Sequence, residues 1–377
     1  MKITADWLVD PDAQRVCSML TQAGHQAWFV GGCVRNALID AAASDLDLTT
    51  DARPETVTEL GKAAGFKVIP TGIDHGTVTV VVGENPFEIT TFRCDVDTDG
   101  RHAVVAFADT PDEDARRRDF TMNALYAAPD GTLHDPLGGI TDALAGRVRF
   151  IGDADLRIRE DYLRILRFFR FYAWYGDPSA GIDADGLAAC AGNVDGIDGL
   201  SAERIGQEMR KLLSAPDPAP AIASMAATGA LLRVLPGAGP NALTVLIHLE
   251  QVAGLEPDFV RRLAALGGDP TRLRLTKAEA RTHDIIRNME ATAGEAGYRY
   301  GAKIAIDRAL VLAASLSQPL SDSDVAAARH GAKQILPVKA ADFMPALHGP
   351  ALGAALKQAE ARWIASGFTL TRNDLLV

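Results

Sequence analysis

The sequence predicts an α+β protein, with a small mixed sheet in an N-terminal head followed by an all-α neck, body and tail. Three observations lead there. In roughly the first 150 residues, short runs rich in β-branched and aromatic residues alternate with helical patterns. Beyond Ile151 the strand signal fades and alanine and leucine dominate. A chain of 377 residues also exceeds the size at which one hydrophobic core usually keeps growing, so several packed domains are expected. The divisions fall at residues 1–150 for the head, 151–215 for the neck and 216–377 for the body and tail.

The head's strands are expected at residues 27–30, 45–49, 77–82 and 87–92, each with turn signals nearby. SAPDPAP, at 214–220, carries three prolines and is the natural linker. The segment 356–368 has the pattern of a late amphipathic helix, and the chain shows no internal repeat, coiled-coil heptad or long low-complexity tract. No apolar run reaches bilayer length, and the opening MKITADWLVDPDAQRV lacks the regions of a signal peptide. A cytoplasmic location is therefore expected. Cys17, Cys33, Cys94 and Cys190 stand far apart without a CxxC, which argues against zinc or a disulfide framework and for small reduced core residues. A net charge of −11 argues mildly against indiscriminate nucleic-acid binding. The positive groups are mostly arginine, however, and several cluster between Arg147 and Arg170. A planar guanidinium grips phosphates or base edges, so a local basic cleft is compatible with an acidic chain.

Four constellations carry chemistry. In FVGGCVRNALI, at 29–39, a strand meets paired glycines and then a helical pattern. The paired glycines let a ligand approach the backbone, and the first helical N–H groups with Arg35 could hold a triphosphate, although a glycine turn between strand and helix is by itself more often only a turn. In SDLDLTT, at 44–50, strand alternation projects Asp45 and Asp47 from one face while Leu46 and Leu48 face the core. Two carboxylates on one face repel unless a cation lies between them, and oxygen ligands suit Mg2+. An isolated DxD is usually a solvated strand edge; a preceding glycine turn with an arginine tips the reading to a metal site. Glu88, with Thr90 and Phe92 on its face, is a candidate third carboxylate or a plain surface glutamate. His75, Gly76 and Thr77 read as structural support, and the polar stretch CDVDTDGRHA after Arg93 reads as a loop.

The third constellation is DARRRDFTMNAL, at 114–125. Asp119 and Thr121 read as helix caps, which leaves Arg118 where phosphate can reach it and Asp119 able to accept a bond from a ribose hydroxyl. The fourth is REDYLRILRFFRFYAWYG, at 159–176, where Asp161, Arg164, Arg167 and Arg170 form a stripe on one helix flanked by apolar groups. Buried arginines need partners, either internal acids such as Glu160 and Asp161 or an anionic nucleotide, and the stripe is better satisfied by the nucleotide.

Together these runs resemble the class II branch of the DNA polymerase beta superfamily, which holds CCA-adding tRNA nucleotidyltransferases and bacterial poly(A) polymerases. GGCVRNAL, DLDLTT, HGTVTV, FEITTFR, RRRDFTMNAL, DPLGGITDAL, RFIGDADLRIREDYLRILRFFRF and LSAERIGQEMRKLL occur in the family's order over roughly the first 215 residues. GPALGAALKQAEARWI is similar to the family's C-terminal tRNA-contacting part. The resemblance implies a catalytic head, a base-recognising neck and a tRNA-binding body and tail. It implies transfer of CMP and AMP from CTP and ATP to a tRNA 3′ end, with release of pyrophosphate and two-metal catalysis. It further implies Mg2+ on Asp45 and Asp47, nucleotide contacts from Gly32, Arg35 and Arg118, and a ribose contact from Asp119. Asp161 and Arg164 would read the base, supported by Arg167 and Arg170. No membrane or protein partner is implied. A poly(A) polymerase, or an enzyme adding only CC or only A, shares the same head; a catalytically silent RNA-binding protein is disfavoured by the intact Asp45 and Asp47. Asn36 stands where the family usually has aspartate, and Pro136 where an aromatic residue is common. The lone His283–Asp284 pair lacks the further ligands of a phosphohydrolase site and reads as incidental.

Overall fold

The computed structural model describes residues 1–42, 45–99, 102–344 and 346–376. Ser44, at the start of SDLDLTT, and Gly100 and Arg101 of the polar stretch lie outside them. The chain separates into two compact units, one of Met1–Leu212 with Pro220–Val234 and one of Leu213–Ala219 with Leu235–Val377.

The first unit is built on a seven-stranded sheet among the described residues, in the order β3-β4-β5-β2-β1-β8-β9. Its strands are β1 (Trp28–Val30), β2 (Asp47–Thr50), β3 (Lys67–Gly72), β4 (Thr77–Val82), β5 (Asn85–Thr91), β8 (Tyr126–Ala127) and β9 (Leu133–His134). A separate ribbon pairs β6 (Arg93–Asp99) with β7 (His102–Phe107). All pairings are antiparallel except β2 with β5, which makes the sheet mixed. The alternation read from the sequence is what buries Val78, Val80 and Val82 of β4 with Phe87 and Ile89 of β5. Two expectations change. The segment after Arg93 is a hairpin, because the AVVAF run of its second arm supplies strand signal that the acidic first arm conceals. Strand β5 ends at Thr91, so the fully buried Phe92 does not share a face with the exposed Glu88.

The head's helices are α1 (Pro11–Gln22), α2 (Gly32–Leu38), α3 (Pro54–Ala63), α4 (Pro111–Arg116) and α5 (Gly139–Leu144). Helix α1 starts at Asp10, whose side chain accepts from the Asp12 and Ala13 N–H groups, with Pro11 at the first position. Helix α5 lies so close to the turn at Thr121 that a Cβ on Gly139 would stand 2.1 Å from the Thr121 carbonyl oxygen. Gly139→Ala should therefore push that backbone aside at a cost of roughly 1–3 kcal/mol, read as a lower midpoint in denaturant with an unchanged slope.

The neck helices α6 (Ala154–Glu160), α7 (Leu163–Tyr175), α8 (Ala184–Gly192) and α9 (Ala202–Leu213) follow, then α10 (Ala219–Ala227) and α11 (Ala230–Val234). Phe120 of the head packs on Phe150 and Phe171 at centroid distances of 4.9 and 5.0 Å, and Phe150 stacks on Phe168 at 5.3 Å. This aromatic pile joins head to neck.

The second unit is helical from α12 (Asn241–Val252) through α13 (Phe259–Leu266), α14 (Lys277–Asn288), α15 (Ala293–Tyr300), α16 (Ala302–Ser315), α17 (Asp322–Gly331) and α18 (Gly349–Ala365) to α19 (Arg372–Leu375). Its centre holds a buried charge network: Arg261 pairs with Glu250 at 2.7 Å and Asp307 at 2.8 Å, and Arg262 with Glu250 at 2.8 Å. The late amphipathic helix expected at 356–368 is the second half of α18, which seats Ala359 and Trp363 in a core with Leu375. No helix among the described residues is long and apolar enough to cross a membrane.

Candidate active site

The acidic edge comes from strand register. Because β2 and β5 run parallel, Asp47 stands opposite Glu88, while Leu48 beside it pairs with Phe29 and is fully buried. Like charges directly opposite each other repel. The Asp47 carboxyl is pushed up to about 6, first by desolvation, then by Glu88, with Asp45 adding to the rise and Arg118 opposing it. Solvent reaches Asp47 from one side, so the packed protein behind it, not enclosure, desolvates it. A divalent cation would relieve this crowding, and an all-carboxylate donor set suits one that prefers oxygen. Among the described residues no three His, Cys, Asp or Glu side chains form a ready-made cage. That is compatible with an ion completing its shell with water and phosphate oxygens. The nearby Cys33 thiol is pushed up to about 11, chiefly by burial, and stays protonated. Cys17 and Cys190 are likewise buried, whereas Cys94 is half-buried.

Across from the carboxylates lies the glycine turn. Gly31 has φ +74° and ψ −119°, a conformation open to glycine, and a Cβ there would lie 3.5 Å from the Arg118 Nη1. Gly32 then opens α2. Arg118 is aimed by Asp114, whose Oδ2 accepts from its Nη2 at 2.9 Å and from the Tyr126 hydroxyl at 2.8 Å. Burial opposes the charge on Asp114, but Arg118 and Arg117 outweigh it and hold the carboxyl at about 2. Arg35 is placed differently from the open helix start expected: it is only 4% exposed. Its guanidinium lies 3.8 Å from the centre of the Tyr175 ring and donates to the Asn36 Oδ1 at 2.8 and 3.1 Å and to the Asn123 Oδ1. Asn36 also donates to the Ala42 carbonyl at 2.7 Å, so it ties Arg35 to the segment leading to the acidic strand.

The helix expected after Asp119 is a single 3₁₀ turn, Thr121–Asn123, with no side-chain cap. Asp119 is 8% exposed and accepts from the Phe120 N–H, the Asn123 Nδ2 and Arg167. Burial alone would raise its pKa, but Arg167 and Asn123 hold the carboxyl at about 2. Thr121 instead donates to Asp142.

The Asp161 stripe is not one helix. The backbone breaks at Asp161, with φ −157° and ψ 104°, and this residue caps the end of α6 before α7 carries Arg164, Arg167 and Arg170. Internal acids satisfy the arginines here: Arg164 pairs with Glu160, Arg167 with Asp119 at 2.5 Å, and Arg170 with Glu208 at 2.5 Å. Asp161 takes Arg204 at 2.7 Å and the Leu163 N–H at 3.1 Å.

Asp114, Asn123, Arg157, Arg204 and Glu208 were not singled out by sequence, whereas Glu160 is an internal acid that the sequence offered as a partner for the arginine stripe, and it pairs with Arg164. Asp114 was findable, since its spacing of three and four to Arg117 and Arg118 is that of helical ion pairs. The contacts to Arg204 and Glu208 come from α9, some forty residues on, and no local signal gives them. A cavity of about 810 Å³ bounded by Arg149, Asp153 and Asp183 contains none of the expected site residues. His283 is buried in α14, among no three-ligand group of the described residues.

Residues 27–149 match the family model for the poly A polymerase head domain, and residues 181–240 the model for a probable RNA and SrmB- binding site of polymerase A. The human mitochondrial CCA tRNA nucleotidyltransferase 1 is 43% identical over 52% of this chain and 45% of its own length. The CCA-adding enzyme of Geobacillus thermodenitrificans is 40% identical over 59% and 54%. The chain thus spans about half the length of the curated relatives it matches. The crystal structure of the Bacillus stearothermophilus CCA-adding enzyme in complex with CTP superposes with a TM-score of 0.70 and 27% identity, over 95% of this chain and 94% of that one. Fold and site together define a nucleotidyltransferase-type head. Over the matched parts the chain is similar to CCA-adding tRNA nucleotidyltransferases, and residues 27–149 match the head domain that poly A polymerases carry.

Proposed function

We propose that this chain adds CMP and AMP from CTP and ATP to the 3′ end of tRNA, releasing pyrophosphate. The observation that carries the reading is the parallel register setting Asp47 opposite Glu88, beside Asp45 and within the field of Arg118. Residues 1–150 would carry the chemistry, 151–215 the base recognition and 216–377 the tRNA contacts. Asp45 and Asp47 would hold Mg2+, with Glu88 as the third carboxylate. Bound there, the metal would supply charge neutralisation at the attacking 3′-hydroxyl and at the leaving pyrophosphate. Arg118 and the N–H groups opened by Gly32 would face the nucleotide phosphates. Arg35, held under Tyr175, would shape that wall. Most of the catalysis would then be positioning and electrostatics, with no side-chain nucleophile.

Extension of tRNA lacking its terminal CCA, with each nucleotide supplied separately and together, tests the reading. Two C additions from CTP followed by one A from ATP are expected. A long A tail would make the chain a poly(A) polymerase, and no extension would overturn the activity. The cytoplasm is the compartment proposed, and fractionation of the tagged protein checks it against the mitochondrial names of the human, mouse and zebrafish relatives.

Asp119 has the burial and fixed orientation to take a ribose 2′-hydroxyl as a further hydrogen-bond donor. Asp119→Ala should lose roughly 1.5–3 kcal/mol of preference for CTP over dCTP, about a tenfold to hundredfold change in the ratio of kcat/KM values. An unchanged ratio in a folded variant would move the role elsewhere.

A further inference from the structure

The end of α4 carries three successive arginines, and carbonyls at a helix C-terminus have no partners within the helix. Those of Arg116 and Arg118 accept from one side chain: the Arg157 Nη2 lies 2.9 Å from the first and 2.8 Å from the second. The carbonyl between them, that of Arg117, accepts from the Arg164 Nη2 at 3.4 Å. The two guanidiniums share one carboxylate. The Arg157 Nη1 donates to both Glu160 oxygens, at 2.8 and 2.6 Å, and the Arg164 Nη1 donates to Glu160 as well. Arg164 also donates to the main-chain oxygen of Arg157 at 2.6 Å. The Arg157 and Arg164 side chains are 11% and 12% exposed, so these bonds are sheltered from competing water.

We propose that Arg157 is a positioning residue that latches the Arg116–Arg118 backbone to the neck. One side chain would thereby set both the phosphate-facing Arg118 and the base-reading Arg164. The inference rests on the reading of Arg118 and Arg164 as nucleotide contacts. It explains why Arg157 touches the backbone of Arg118 and the carboxylate of Glu160 at once. Only a planar fork does this: a lysine ammonium carries one point charge and cannot serve two carbonyls and a bidentate carboxylate in the same pose. A displacement of even about 1 Å at a positioning group can cost on the order of a hundredfold in rate.

The test compares Arg157→Ala, Arg157→Lys and Arg164→Ala in single-turnover extension of tRNA lacking CCA, with CTP, ATP, UTP and GTP each titrated, and records thermal melting alongside. For Arg157→Ala, the half-saturating CTP and ATP concentrations should rise roughly tenfold to a hundredfold, and the margin of C and A over U and G should narrow. Arg157→Lys should recover only part of either effect. A residue that merely holds the fold would lower the melting temperature and leave nucleotide dependence and base ranking untouched in the folded fraction. That result in both Arg157 variants overturns the latch. If Arg157→Ala does not fold, Arg157→Lys carries the same readouts. Altered ranking in Arg164→Ala with unaltered behaviour in the Arg157 variants overturns the latch alone. Unaltered ranking in Arg164→Ala removes the reading of Arg164 and the latch with it.

Discussion

Asp47→Ala is expected to abolish nucleotide addition while tRNA binding persists, and Asp45→Ala should do the same. Metal catalysis contributes several kcal/mol of charge stabilisation, so losing a ligand corresponds to roughly a thousandfold or more in rate. Removal of divalent cations with a chelator should match the substitutions. Extension of tRNA at close to the wild-type rate by Asp47→Ala would show that the metal site lies elsewhere. The perturbed carboxyl adds a second arm. Asp47 titrates near 6 in the metal-free fold, above its ordinary 3.8. The folded state therefore holds the proton more tightly than the unfolded chain does. Stability from this group is present below about pH 4 and is lost as pH rises through about 6. In chelator, Asp47→Asn should melt above the wild type at pH 7 to 8, and the gap should shrink toward pH 4. Equal melting temperatures across that range would mean that neither desolvation nor the Glu88 and Asp45 charges burden Asp47.

The acidic edge was legible only in part: Leu48 is buried beside an exposed Asp47, but β2 starts at Asp47, so Asp45 lies just outside the strand, Leu46 is half-buried, and Thr49 on the Asp47 face is buried instead of projecting. Sequence made Glu88 a candidate neighbour, but it could not fix the pairing that puts it there. That Asp47 faces Glu88 depends on a parallel pairing of strands about forty residues apart, with β3 and β4 between them in sequence. The same limit applies to the arginine stripe. Its spacing of three suggested one helix, but the chain turns at Asp161, and Arg204 from α9 holds the carboxylate there. Whether a buried arginine is met by a ligand or by an acid is likewise a tertiary question, and Glu160, Asp119 and Glu208 meet all three arginines of α7. Arg35 shows the effect most plainly, since nothing near it in sequence places Tyr175 over its guanidinium. The short strands β8 and β9, two residues each, fall below any periodicity.

Loss of base selection is the expected result when Asp161 or Arg164 is replaced by alanine. Cytosine and adenine each present an amino donor beside a ring-nitrogen acceptor, which complements a carboxylate beside a guanidinium. Uracil and guanine present a carbonyl acceptor beside an N–H donor, so carboxylate meets carbonyl and guanidinium meets N–H. Discrimination then comes from leaving polar groups unpaired in a sheltered site, which is a strong form of rejection. Both side chains are held ready. Asp161 is fixed by the Leu163 N–H and Arg204, and Arg164 by Glu160 and the carbonyls of Arg157 and Arg117. Those bonds engage Nη1 and one N–H of Nη2, and a guanidinium has further N–H donors on Nε and Nη2. Held on one edge in this way, Arg164 would lose little conformational freedom on meeting a base, and its contribution would then fall on selection as well as on affinity. Either substitution should lower C and A incorporation and narrow their margin over U and G by on the order of tenfold or more. A pair that serves only to hold α6 and α7 in place would instead lower all four nucleotides together. Single-turnover incorporation of CTP, ATP, UTP and GTP separates the two, and an unaltered order and spacing of preference in both variants would return Asp161 and Arg164 to a purely structural part.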